Sequence, residues 1–147
     1  MGIQQNLLFV DRNVLSIINY LCEQSNSLYN CGTYWARQIF FKTSQIVSKF
    51  DVIYECGKNI HSLAMPSTPA QQTLLSVSEA FISFKELRHK FIKGELNFRP
   101  KVPNYRLSGG LFKVAYPNSG AQKPKLSQDG KTLTFSLGNQ VNRWFKV

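Results

Sequence analysis

The sequence predicts an α+β chain in which a β lobe is interrupted by a helical insertion. Three observations carry that expectation. A short apolar run opens the chain at residues 3–10. Three stretches with helical spacing follow, the last stopping at Gly94. Beyond a proline-bearing segment, short strand-like runs and an Asp129-Gly130 turn close the chain.

The opening run, IQQNLLFV, reads as a strand that returns to the later sheet. Asp11 or Asn13 can cap the helix that follows. Val14, Ile18, Leu21, Ser25, Leu28, Gly32, Trp35 and Ile39 recur at steps of four and three, a helical stripe sustained over about seven turns. Ser25 and Gly32 are its small members, so another helix or a stretch of backbone is expected to approach there. Gly in a helix interior costs about 1 kcal/mol relative to Ala, which calls for such a packing reason. A shorter helix starts near Ser48, where Ser48-Lys49-Phe50-Asp51 is a capping-box variant, and Gly57 stops it.

The segment to Met65-Pro66 reads as a connector. The third helix has the clearest start signal, with Thr68 as the capping hydroxyl, Pro69 at the first helical position and Gln71 at the third. Ala70, Leu74, Val77, Phe81, Phe84, Arg88 and Phe91 then repeat at helical spacing, the aromatic members reading as core. Residues 95–106 contain Pro100 and Pro103 and cannot form a helix interior. Leu111–Tyr116 and Thr132–Leu137 read as strands, and Asp129-Gly130 predicts a hairpin between 124–127 and 132–137.

The chain has 147 residues, enough for one domain or two small lobes sharing a core. Eighteen Lys and Arg stand against eight Asp and Glu, a net charge of +10. That surplus repels itself unless an anionic partner relieves it, and nucleic acid is the commonest such partner. Cys22, Cys31 and Cys56 include no C-x-x-C pair and lie far in sequence from His61 and His89, so no zinc site is visible. The thiols read as small apolar residues of a reducing compartment. No run approaches the roughly 20 apolar residues of a membrane helix, and no signal peptide or myristoylation motif is evident. A cytoplasmic location without membrane contact is expected.

No catalytic constellation is visible. The acidic residues Asp11, Glu23, Asp51, Glu55, Glu79, Glu86, Glu95 and Asp129 are scattered, mostly at caps or on polar helix faces, without the clustering that two-metal phosphodiester cleavage needs. His61 and His89 lack an evident nucleophile or acid partner and read as surface or cap residues. Ser108-Gly109-Gly110 is too short for a phosphate loop and reads as a turn.

Between Lys85 and Lys113 lie eight basic residues: Lys85, Arg88, Lys90, Lys93, Arg99, Lys101, Arg106 and Lys113. Only Glu86 and Glu95 oppose them. Basic groups neutralise phosphates, and an interleaved aromatic such as Tyr105 can stack on an unpaired base. Phe98 reads instead as an anchor of the loop. The start of the third helix offers free amides and a positive dipole end, and Gln71 or Gln72 has the geometry to bond an adenine edge. Gln is equally an ordinary helix former.

Four segments together resemble the N-terminal portion of the TnpB/OrfB proteins of bacterial insertion sequences, RNA-guided DNA nucleases related to type V CRISPR effectors. They are Ser27-Leu28-Tyr29-Asn30 followed by Arg37; Pro69-Ala70-Gln71-Gln72-Thr73-Leu74 continuing to Ala80-Phe81 and Phe84-Lys85; Arg99-Pro100-Lys101-Val102-Pro103-Asn104-Tyr105-Arg106; and Leu133–Leu137 ending in Gly138. The resemblance spans nearly the whole chain. It implies a small β-barrel-like wedge lobe (residues 1–11 and 99–147) interrupted by a three-helix recognition lobe (residues 12–98). It further implies that these lobes grip a guide RNA and read a DNA motif flanking the target. Gln71 would read a base, with Thr68, Gln72, Tyr116 and Asn118 as neighbours in that role, and the stretch from Lys93 to Arg106 would contact nucleic-acid backbone.

Members of that family continue into a nuclease domain with three catalytic carboxylates, often with a zinc finger, and use Mg. The carboxylates and cysteine ligands are missing here, so the expectation is a fragment, a truncated product, or a chain whose nuclease comes from a separate chain. No cofactor and no catalytic residue are expected in this chain. Its expected partners are RNA and DNA. Two other readings fit the residues: a stand-alone DNA-binding domain of a transposase, and a truncated interaction protein that assembles with another chain.

Overall fold

The computed structural model describes residues 10–117 and 123–146, and they are mostly helical with one small sheet. Asp11 caps α1 (Arg12–Thr43) by accepting from the Val14 amide at 2.9 Å. Its 32 residues make a rod of about 48 Å at 1.5 Å per residue. Ser44, in the left-handed region at φ 57°, ends it. Ser48 and Asp51 form the reciprocal capping box of α2 (Lys49–Cys56). The connector holds a single turn, α3 (Ile60–Leu63), tied to α1 by His61 Nδ1 at 2.8 Å from Gln24 Oε1. His61 thus belongs to packing rather than to the free surface.

The long α4 (Ser67–Ile92) starts one residue before the expected cap. Pro66 holds the capping position in an extended conformation, and no side chain caps the helix. Pro69 is tolerated because the first turn's amides have no intrahelical acceptor. At the other end the Gly94 amide donates to Phe91 O and the Glu95 amide to Lys90 O, at 3.0 and 2.9 Å. With Gly94 at φ +78° this is a Schellman stop.

α1 and α4 pack together, and Leu28, Ala36, Val52, Leu74, Val77 and Phe81 form the heart of the core. The two small stripe residues lie where the helices approach. A Cβ on Gly32 would sit 3.1 Å from Val77 Cγ2 and 3.2 Å from Leu74 Cδ2. Ser25 Oγ lies 2.7 Å from Thr73 Oγ1 and donates to Lys113 O at 2.8 Å. Toward the ends of α1 the buried positions are Ile17 and Ala36, while Val14, Ile18, Trp35 and Ile39 are exposed only in part. A 3.5-residue repeat drifts about 20° per heptad around a straight helix, so it faces the partner only near its middle.

The expected strand Leu111–Tyr116 is not a strand. Residues 100–117 form a strap outside helix and sheet that runs back along α1 and turns at Ser108-Gly109, with Gly109 at φ +75° and the Gly110 amide donating to Leu107 O. Arg37 Nη1 donates to Pro103 O at 2.6 Å. Asn30 bonds both backbone groups of Arg106, accepting from its amide at 2.8 Å and donating to its carbonyl at 3.1 Å. Asn26 Nδ2 donates to Leu107 O at 2.9 Å and Asn26 Oδ1 accepts from Arg106 Nε at 3.0 Å. Further along, the Phe112 amide donates to Cys22 O. Helix side chains therefore satisfy a backbone that Pro100, Pro103 and Pro117 make a poor ladder partner.

Asp129-Gly130 does make the hairpin, pairing β1 (Lys125–Leu126) with β2 (Leu133–Thr134) in antiparallel register, Leu126 opposite Leu133. The predicted run Thr132–Leu137 contributes only two residues to that ladder. Among the described residues the sheet has these two strands, and residues 3–9 of the predicted first strand lie outside them. A short unforeseen helix, α5 (Asn139–Phe145), places Val141 against Ile17 and Leu21 in a second apolar cluster. Val114 of the strap packs on both clusters. No described helix is long and apolar enough to cross a membrane.

Candidate nucleic-acid interface

Beyond Phe84 the burial of α4 stops. Every residue from Lys85 to Glu95 is exposed, so the last turns of the helix project with their charges in water. Facing them is the last third of α1, and between the two runs the loop that begins the strap. They enclose a groove of about 1000 Å³ lined by Arg37, Phe40 and Phe41 from α1, Phe84, Arg88 and Phe91 from α4, and Arg99, Lys101 and Asn104 from the loop, among others. Four cations line it, with no described carboxylate. Both helices end at this groove, each bringing roughly half an elementary negative charge. Four full positive charges exceed that, and the groove is net cationic.

Aromatic rings set the cations in place. The Arg37 guanidinium lies 5.1 Å from the Phe41 ring centre and 5.2 Å from that of Tyr105, while its Nη1 holds Pro103. Arg88 lies over Phe40 at 5.7 Å, and Phe40 meets Phe84 edge-on at 5.3 Å. Cation–π contact orients a guanidinium without neutralising it, whereas a carboxylate would cancel its field. The charges of Arg37 and Arg88 therefore remain available to an anion.

The structure gathers some of the expected residues and separates others. Arg88, Arg99 and Lys101 line the groove, and Tyr105 borders it through Arg37. Lys93 is exposed at the Schellman stop, outside the lining. Arg106 and Lys113 lie further along the strap, 4.4 and 5.9 Å from the Phe112 ring centre. The Arg106 guanidinium donates to Asn26 and to Leu111 O, so part of its bonding capacity is spent on the strap.

Thr68, Gln71 and Gln72 stand at the opposite end of α4. Gln71 is seventeen residues from Arg88, about 25 Å along the helix. Thr68 and Gln72 are half-buried, and Gln71 is exposed in a shallow cleft of about 320 Å³ shared with Tyr54, Lys58 and Gln140. Tyr116 donates its hydroxyl to Leu137 O at 2.8 Å, and burial, with Cys22 adding to it, pushes its phenol up to about 12. That hydroxyl pins the C-terminal segment. Asn118 lies outside the described residues.

Arg37, Phe40 and Phe41 carry no weight as binding residues in the sequence, where Arg37 figures only within the resemblance. Their signal is a cation followed by aromatics at i+3 and i+4, one face at the end of a long helix. Phe91, read as core from its spacing, is a wall of the groove instead. Among the described residues no cluster of three His, Cys, Asp or Glu is placed to hold a metal ion. The three cysteines are free, and burial pushes the Cys56 thiol up to about 11, away from a reactive thiolate. No family model, no curated protein and no solved structure matches the chain.

Proposed function

We propose that the chain is a nucleic-acid-binding module whose main contact is the groove between the ends of α1 and α4. The observation that carries this reading is the convergence of Arg37, Arg88, Arg99 and Lys101 on one surface without a described carboxylate among them. Cations so arranged take up phosphates and release condensed counterions, a contact that positions a strand without reading its sequence. Base reading falls to the other end of α4, where Gln71 shares its cleft with Gln140 and Lys58.

On the same reading the chain is the recognition and wedge portion of a TnpB-like protein. Residues 12–98 make its helical recognition lobe, and the strap with the β1–β2 hairpin belongs to its wedge lobe. It grips RNA and meets a short DNA motif, and cutting belongs to a nuclease domain outside these residues. The order of the four resembling segments and the exposed basic end of α4 support this assignment.

The test is binding of fluorescent RNA and DNA oligonucleotides at about 50 mM salt, followed by anisotropy. Arg88→Gln, Arg99→Gln and Lys101→Gln combined are expected to weaken binding at least roughly tenfold. Lys125→Gln with Lys131→Gln, on the hairpin, leave it unchanged. Equal losses in the two variants would refute the groove as the contact surface.

A further inference from the structure

We infer that the groove takes an unpaired nucleotide strand, RNA or single-stranded DNA, with phosphates on Arg88, Arg99 and Lys101 and bases against Phe41 and Phe91. The inference rests on the nucleic-acid reading above and narrows it. What motivates it is the mixture of surfaces. The same groove that carries four cations is walled by aromatic rings, Phe41 at 59% exposure and Phe91 at 37%.

A duplex has no use for such walls. It presents phosphates and sugars outward and keeps its base faces stacked, so exposed rings beside the cations would remain wet or be desolvated against polar groups. An unpaired strand turns phosphate and base to different sides, which matches a groove with charge and aromatic faces together. Phe40 carries Arg88 over its ring and meets Phe84 edge-on, and the two rings form the floor. Phe41 and Phe91 are the rings with open area, one on each helix. Phe91 follows Arg88 by three residues on α4, so a phosphate and its neighbouring base meet them one turn apart. Stacking tolerates any base, so the groove holds a strand without choosing its sequence.

The experiment compares single strands of oligo-U and oligo-dT with a duplex, all of roughly 12 nucleotides or base pairs, at about 50 mM salt. The single strands are expected to bind at least tenfold tighter than the duplex. Phe41→Ala and Phe91→Ala each weaken single-strand binding roughly fivefold to 100-fold and leave its salt slope unchanged, because no charge is lost. Both side chains are solvent-facing, and thermal melting checks that the variants stay folded. Oligo-U against oligo-dT separates RNA from DNA as the source of the strand. A duplex bound as tightly as the single strands, or phenylalanine variants that bind like the parent, overturns the inference and leaves the nucleic-acid reading standing. Failure of every oligonucleotide to bind overturns that reading itself.

Discussion

Replacing Asn26 with Ala removes one side chain and two bonds that hold the strap to α1. Asn26 is 2% exposed, donating to Leu107 O at 2.9 Å and accepting from Arg106 Nε at 3.0 Å. A neutral bond contributes about 1 kcal/mol and one to a charged group about 1.5–3 kcal/mol. Leu107 and Arg106 are themselves exposed, so water can take the freed groups, and the lower ends apply. Their sum is about 2.5 kcal/mol, from which Ala recovers up to about 0.7 kcal/mol through better helix propensity. The net expectation is a loss of about 2 kcal/mol. At about 4 °C per kcal/mol for a chain of this length, the melting midpoint falls about 8 °C. Urea and thermal unfolding followed by tryptophan fluorescence and far-UV circular dichroism measure it. Asn26→Asp, which keeps an acceptor for Arg106, is expected to lose less. If Asn26→Ala unfolds with the parent's midpoint, side chains of α1 do not hold the strap.

Gly32→Leu forces a branched side chain into space bounded by Val77 and Leu74 at 3.1 and 3.2 Å, and is expected to cost about 3 kcal/mol, read by the same melts. Binding of a single strand through Arg88, Arg99 and Lys101 predicts that these three contribute about −2.1 to the slope of log affinity on log salt, a contribution lost when all three are neutralised. A slope that stays put would exclude those three from phosphate contact. Tyr116 titrates at about 12 when folded and near 10 when unfolded, so the unfolded chain releases its proton first. The share of stability that Tyr116 contributes is complete below pH 10 and declines as pH rises toward 12. Cys56, at about 11 when folded, adds a decline that begins near pH 9. Tyr116→Phe should therefore flatten the upper part of the denaturation-midpoint profile between pH 9 and 12, and an unchanged profile counts against a buried phenol.

Local chemistry was readable where bonds are local. Asp11, the Ser48 and Asp51 box, Gly94 and Asp129-Gly130 each act within a few residues, and each marks an element boundary or turn in the structure. Gly32 and Ser25 were readable because a small residue in an apolar stripe leaves a gap that a close neighbour must fill. The strap was not, since its partners are side chains about 66–81 positions away, and nothing in Leu111–Tyr116 tells a strand from an extended chain bonded to a helix. Thr68 misled as a cap because a proline two residues earlier already fixes the chain for the helix start. The cations of the groove stood out in composition, but their opposition to Arg37 and Phe41 depends on how α1 and α4 cross.

Val114 is the valine on which both apolar clusters lean, one between α1 and α4, the other under α5. Such sharing makes the cooperativity of the whole chain hostage to a few methyl groups. Trimming them would let the C-terminal cluster melt ahead of the helical pair, and calorimetry would then return an enthalpy larger than the van't Hoff value, the mark of two transitions in place of a single cooperative one.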